Sequence, residues 1–174
     1  AYDAVKYLIE LGHRKIGMIS FPYHDSISGE PRYNGYVKAL TDYGLKECAA
    51  HVTYANHRFE EAYEATAQLF SKSPDLTAVF TASDEFAMGA ISYLSDHHIL
   101  VPDQVSVIGF DDIRMAHMYV PKLTTIAQPV YEIGQRAVTK IYELISTGGV
   151  QQLNERLPHQ LIIRQSTQQV VTSS

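Results

Sequence analysis

The sequence predicts an α/β fold in which a parallel sheet carries helices on both faces. Three observations support this. Short apolar runs of four to six residues recur along the chain as strand candidates. Most are separated by stretches with helical spacing, an alternation that builds parallel sheets with covered faces. The segments that follow the first four runs are all polar, and in such sheets the carboxyl ends of the strands form the ligand-binding rim.

Each element has its own justification. Ala4, Val5, Leu8 and Ile9 share one helical face, and Gly12 stands where a helix stop belongs. Lys15 to Phe21, KIGMISF, reads as the first strand. Pro31 suits the start of the next helix, where Tyr33, Tyr36, Val37 and Leu40 keep i, i+3, i+4, i+7 spacing until Gly44. A weak strand at His51 to Ala55 precedes a helix from about Phe59 to Phe70. Thr77 to Ala82 is the third strand, and Ser83 or Asp84 can cap the helix that carries Ala87, Ile91 and Leu94. Val105 to Phe110 and Leu123 to Ala127 are the fourth and fifth strands. A long helix over roughly 130–146 stops at Gly148 and Gly149, and His159 to Ser166 supplies the last strand. The tail, 167–174, matches no pattern and is expected to fray.

Bulk properties narrow the function. A chain of 174 residues, 45% apolar and 19% charged, can form one domain with a real core or one lobe of a larger protein. The net charge of −5 argues against this stretch itself gripping a nucleic-acid backbone. A single cysteine, Cys48, can make neither an internal disulfide nor a paired-cysteine zinc site. No apolar run approaches the roughly 18 residues a membrane helix needs, so no membrane partner is expected. The chain starts Ala-Tyr-Asp rather than with Met, and is expected to be a piece of a longer protein.

Motifs for catalysis are missing. The eight histidines form no His-Glu-x-x-His pattern, so no metal site is expected. There is no Gly-x-Ser-x-Gly elbow, no Gly-x-Gly-x-x-Gly loop and no phosphate loop, so no cofactor and no enzyme activity is expected. Asp111 and Asp112 are adjacent, whereas a glycosidase pair must flank the bond at about 5 to 10 Å. Neighbouring residues at a strand end point apart. Asp111 is therefore read as a rim acceptor for hydroxyls and Asp112 as turn support. Arg32 lies near the start of a helix, against the helix dipole, where a solvated role is the ordinary alternative. A guanidinium and a carboxylate across a cleft can chelate neighbouring hydroxyls, which is how a neutral sugar is held. Phe21, Tyr23, His24 and His57 can offer flat faces to a sugar ring, though such residues are more often simple packing.

Five stretches, LIELGHRKIGMI, RYNGYVKAL, TAVFTASDEFAMGAISYL, VPDQVSVIGFDDI and PKLTTIAQP, strongly resemble the effector-binding domain of the lactose-repressor/galactose-repressor family of bacterial transcription regulators. The likeness covers nearly the whole chain in order. It implies a periplasmic-binding-protein-like fold of two Rossmann-like lobes with a small-molecule effector, here a sugar, in the cleft. It further implies a cytoplasmic homodimer that meets operator DNA through an N-terminal helix-turn-helix outside this sequence. By position, Arg32 and Asp111 match the family's sugar-binding arginine and aspartate. Ser83 matches a ligand-contact position, with Asp84 beside it as a further ligand candidate and the expected helix cap. Ser26 and Ser28 match loop contacts, and His57 stands where several members stack an aromatic. Met88, Met118 and Tyr119 fall on segments that pair the C-terminal lobes.

The resemblance also divides the chain. Residues 1–127 and 156–166 would form the C-terminal lobe, and 128–155 would cross to an N-terminal lobe that is mostly absent. The apolar face of that helix (Ile133, Ala137, Val138, Ile141, Leu144, Ile145) is then expected to be exposed, mobile or packed on another chain. A transporter's periplasmic sugar-binding protein shares the fold and is the alternative reading. A sugar-processing enzyme stands third.

Overall fold

The computed structural model describes residues 1–56, 58–149 and 154–170. The first helix, α1 (Tyr2–Glu10), leads into β1 (Ile16–Ser20), followed by α2 (Gly29–Asp42), β2 (Val52–Tyr54), α3 (Phe59–Lys72) and β3 (Ala78–Thr81). Next come α4 (Asp84–Asp96), β4 (Ser106–Asp111), β5 (Thr124–Ala127), α5 (Val130–Thr147) and β6 (Gln160–Ile162). The expected elements all form, with ends moved by a few residues. Gly12 (φ +96°) and Gly44 (φ +69°) take the left-handed conformation just past α1 and α2, which is why those helices stop there.

The six strands lie in the order β2-β1-β3-β4-β5-β6. All pairs from β2 to β5 are parallel, so the fold is a mostly parallel α/β sheet flanked by helices. Successive residues of each buried strand feed opposite faces. Ile19, Val79 and Val107 meet α3 and α4 in one apolar layer, together with Leu69, Phe86 and Leu94. Met18, Phe80 and Ile108 meet α1 and α2 in the other, with Leu8 and Tyr36. Burying each large side chain contributes about 1.5–3 kcal/mol. The Tyr36 hydroxyl, inside the second layer, donates to the Ile16 carbonyl at 2.8 Å and ties α2 to β1.

Two features depart from the sequence reading. The last strand is shorter than expected and runs antiparallel, with Thr125 opposite Ile162. A parallel partner would need a crossover packed on the sheet, and α5 has no buried residue. The chain therefore returns from the carboxyl end. Secondly, the tail does not fray over 167–170. Thr167 is buried against Thr124 (Oγ1 to Oγ1 3.0 Å), the Gln168 amide donates to Ser106 Oγ at 3.0 Å, and the Val170 amide donates to the Leu11 carbonyl at 2.9 Å. Its restraints are polar, so apolar periodicity could not reveal them; 171–174 lie outside the described residues. As expected, α5 exposes Val138 (67%), Ile141 (57%) and Ile145 (79%) along its apolar side. Among the described residues no helix is long and apolar enough to cross a membrane.

Candidate functional site

The strand order reverses at β1: the chain passes from β1 to β2 on one side, then to β3 on the other. That is the switch point where parallel α/β sheets open a crevice beyond the strand carboxyl ends. The loop after β1 and the start of α2 bring Ser26, Ser28 and Arg32 to this rim. The end of β3 brings Ser83, the end of β4 brings Asp111, and Gln128 follows β5 directly.

Arg32 and Asp111, distant in sequence, come together there. Arg32 Nη2 lies 3.7 Å from Asp111 Oδ1, a loose ion pair beyond hydrogen-bond length. The guanidinium carbon sits 4.3 Å from the centroid of the Phe110 ring and 5.5 Å from that of Phe21, so two rings fix its plane. Gln128 Nε2 donates to Asp111 Oδ1 at 2.6 Å. Burial pulls the Arg32 pKa down, against the attraction of Asp111 and Asp25. It pushes the Asp111 pKa up, against the arginine and the Gln128 hydrogen bond. Both charges are thus incompletely solvated and incompletely paired. A ligand hydroxyl that accepts from one and donates to the other would restore bonds worth about 1.5–3 kcal/mol each.

Asp111 (φ +114°) and Asp112 (φ +55°) both adopt positive φ. For residues with a side chain such conformations cost about 1–3 kcal/mol each, and persist only where the surroundings enforce them. The two acids do diverge. Asp112 Oδ1 accepts from Arg164 Nη2 at 2.7 Å, away from Arg32, which makes it turn support.

The sequence placed Asp84 among the ligand contacts, and the structure corrects this. Asp84 is completely buried; its Oδ1 accepts from the Thr125 hydroxyl at 2.5 Å and its Oδ2 from the Ile113 amide at 2.8 Å. Both oxygens bond within the protein, and neither reaches the surface of the rim. Burial raises its pKa to about 6, against these two bonds. Gly109 explains the close fit, since a Cβ there would lie 2.2 Å from Asp84 Oδ1. Ser83, rather than Asp84, is the helix cap, its Oγ accepting from the Phe86 amide at 3.2 Å, and it is buried. Ser26 is exposed and Ser28 half-buried, in a turn closed by the Ile27 and Ser28 amides, which both donate to Asp25 Oδ1 at 2.9 Å. His57 lies outside the described residues. Phe21 is buried beneath Arg32, whereas Tyr23 is half exposed and packs edge-on against Tyr33 at 5.3 Å.

Of the residues expected to pair lobes, Met118 is 55% exposed. Met88 is largely covered by its own chain, and its carbonyl accepts the hydroxyl of half-buried Tyr119 at 3.2 Å. Sequence reasoning missed Gln128, Phe110 and Arg164. Gln128 was within reach, because any residue just past a parallel strand joins the rim. Arg164 carried no local signal.

A mostly parallel sheet with an arginine and an aspartate brought together beyond its strand ends is the architecture of a periplasmic-binding-protein-like domain. The periplasmic binding protein-like domain family matches residues 5–167. Catabolite control protein A of Priestia megaterium is 33% identical over 167 residues, which cover 96% of this chain and 50% of that protein. The transcriptional repressor CytR of Escherichia coli K12 is 38% identical over 167 residues, 96% of this chain and 49% of that protein. Among solved structures, the regulator CelR in complex with cellobiose superposes with a TM-score of 0.91 at 30% identity, covering 95% of this chain and 50% of that one. A LacI family regulator from Enterococcus faecium with bound ribose gives 0.88 at 30%, covering 98% and 62%. The chain belongs to the periplasmic binding protein-like domain family, the relatives it matches are transcriptional regulators, and it spans about half the length of those curated relatives.

Proposed function

We propose that this chain is the effector-sensing lobe of a bacterial transcriptional repressor, with a sugar bound at the rim by Arg32 and Asp111. The observation that carries the reading is the ring-held Arg32 beside Asp111 at 3.7 Å, each with hydrogen-bonding capacity to spare. Cellobiose and ribose in the two solved relatives supply the ligand class. Ser26, Ser28, Ser83 and His57 would complete the contacts from neighbouring loops. Asp111 accepts hydroxyl protons and Arg32 donates to hydroxyl oxygens. A ligand that also bonds a second lobe favours the closed arrangement over the open one, and only that difference in affinity can drive the switch.

Residues 1–127 and 156–166 are assigned to this lobe, and 128–155 to the crossing towards the other. The exposed apolar face of α5 supports that division. A homodimer would form through the surface that carries Met118 and Tyr119. Operator DNA would be met by a separate segment, in the cytoplasm. Relatives that are regulators weigh against the transporter reading.

The test is a thermal-shift screen of the full-length protein against mono- and disaccharides, since a ligand that binds only the folded state raises its stability. Arg32→Ala and Asp111→Ala should each abolish the shift and the effector response while operator binding stays measurable. Normal responses in both variants would refute the site.

A further inference from the structure

The turn that carries Asp111 is held in a costly shape, and its restraints come from outside it. Asp111, Asp112 and Ile113 are each gripped by a different side chain. Gln128 bonds Asp111, Arg164 bonds Asp112, and buried Asp84 accepts the Ile113 amide. Arg164 stands two residues past β6, on the segment that returns from α5. Its guanidinium makes two bonds at once, Nη1 to the Leu123 carbonyl and Nη2 to Asp112 Oδ1, both at 2.7 Å. Its own amide donates to Thr124 Oγ1 at 2.9 Å, and its side chain is only 16% exposed. A planar fork fixed at both prongs is a strut that a lysine cannot reproduce.

We propose that Arg164 is a positioning residue of the sugar clamp: by holding Asp112 it fixes the left-handed turn that aims Asp111 at Arg32 and the rim. The assignment rests on the sugar-site reading for its purpose, but not for its mechanics. Charge sorting is part of the role. Two adjacent carboxylates face two arginines, one each. Without Arg164, Asp112 loses its counter-charge, the turn can relax to negative φ, and both acids compete for Arg32.

The experiment uses the full-length protein without ligand and follows amide hydrogen exchange across 109–115. In Arg164→Met the Ile113 amide should exchange at least tenfold faster, with β1 and α4 amides unchanged. Asp112→Asn should do the same, the double variant should be no faster than the faster single, and Arg164→Lys should fall between. Unchanged Ile113 exchange in Arg164→Met and Asp112→Asn overturns the proposal, and if Arg164→Met fails to fold, Asp112→Asn alone decides. Titration with cellobiose and ribose separates this proposal from the site reading. Loss of sugar affinity in Asp111→Ala with full affinity in Arg164→Met refutes the positioning role alone, whereas full affinity in Asp111→Ala refutes the site.

Discussion

Gly109→Ala puts the packing around the clamp to a quantitative test. The new methyl would lie 2.2 Å from Asp84 Oδ1, 2.9 Å from Leu123 Cδ2 and 3.3 Å from Asp84 Cα. Leu123 and Asp84 are both fully buried, so neither can swing into solvent. Asp84 must shift, and in shifting it weakens its bonds from Thr125 and from the Ile113 amide. A hydrogen bond to a charged group contributes about 1.5–3 kcal/mol, and overpacking alone costs about 1–3 kcal/mol. Because relaxation lets part of each survive, the expected loss is about 3–5 kcal/mol. With a urea slope of about 2 kcal/mol/M, the unfolding midpoint should fall by about 2 M. Gly134→Ala is the internal control. It lies on α5, where a Cβ meets nothing within 4 Å, and should gain up to about 1 kcal/mol from helix propensity. Urea unfolding followed by far-ultraviolet circular dichroism reads both. A Gly109→Ala loss below about 1 kcal/mol would show that Asp84 is not wedged as described.

Two further perturbations address other parts of the fold. His13 is buried, with Nδ1 3.0 Å from Thr77 Oγ1 and Nε2 3.1 Å from both Ser106 Oγ and the Gln168 carbonyl, and burial lowers its pKa from 6.5. The folded state then binds fewer protons than the unfolded one as pH falls below 6.5, so stability should drop with acidification through that range; the difference between wild type and His13→Gln, measured as urea midpoint against pH, should shrink below pH 6.5, and a constant difference would sink the assignment. Ile141→Glu and Ile145→Glu should leave this chain within about 0.5 kcal/mol of its original stability, because both side chains are exposed, but should cost several times more in the full-length protein if α5 packs into a second lobe. Equal, small effects in both would refute the division of the chain.

What the sequence revealed, and what it concealed, follows from which forces are local. Apolar periodicity and helix stops are local, so the strand and helix positions could be read directly. The meeting of Arg32 and Asp111 is not local, yet it was legible, because parallel strands send every following loop to the same rim. Depth was not legible. Asp84 and Ser83 are neighbours at one helix start, and nothing in their types says that one carboxylate will be sealed beneath a glycine backbone while the neighbouring hydroxyl caps the helix. Their fates are decided by how closely Gly109 lets β4 approach α4. The antiparallel return of β6 was hidden for a related reason, since it depends on α5 failing to pack on the sheet. That return sets the contact between Arg164 and Asp112, and the two positive φ angles beside it exist only because distant side chains enforce them. A rim carboxylate can thus be found from the order of strands, but its aim is set by long-range polar contacts that leave no periodic trace.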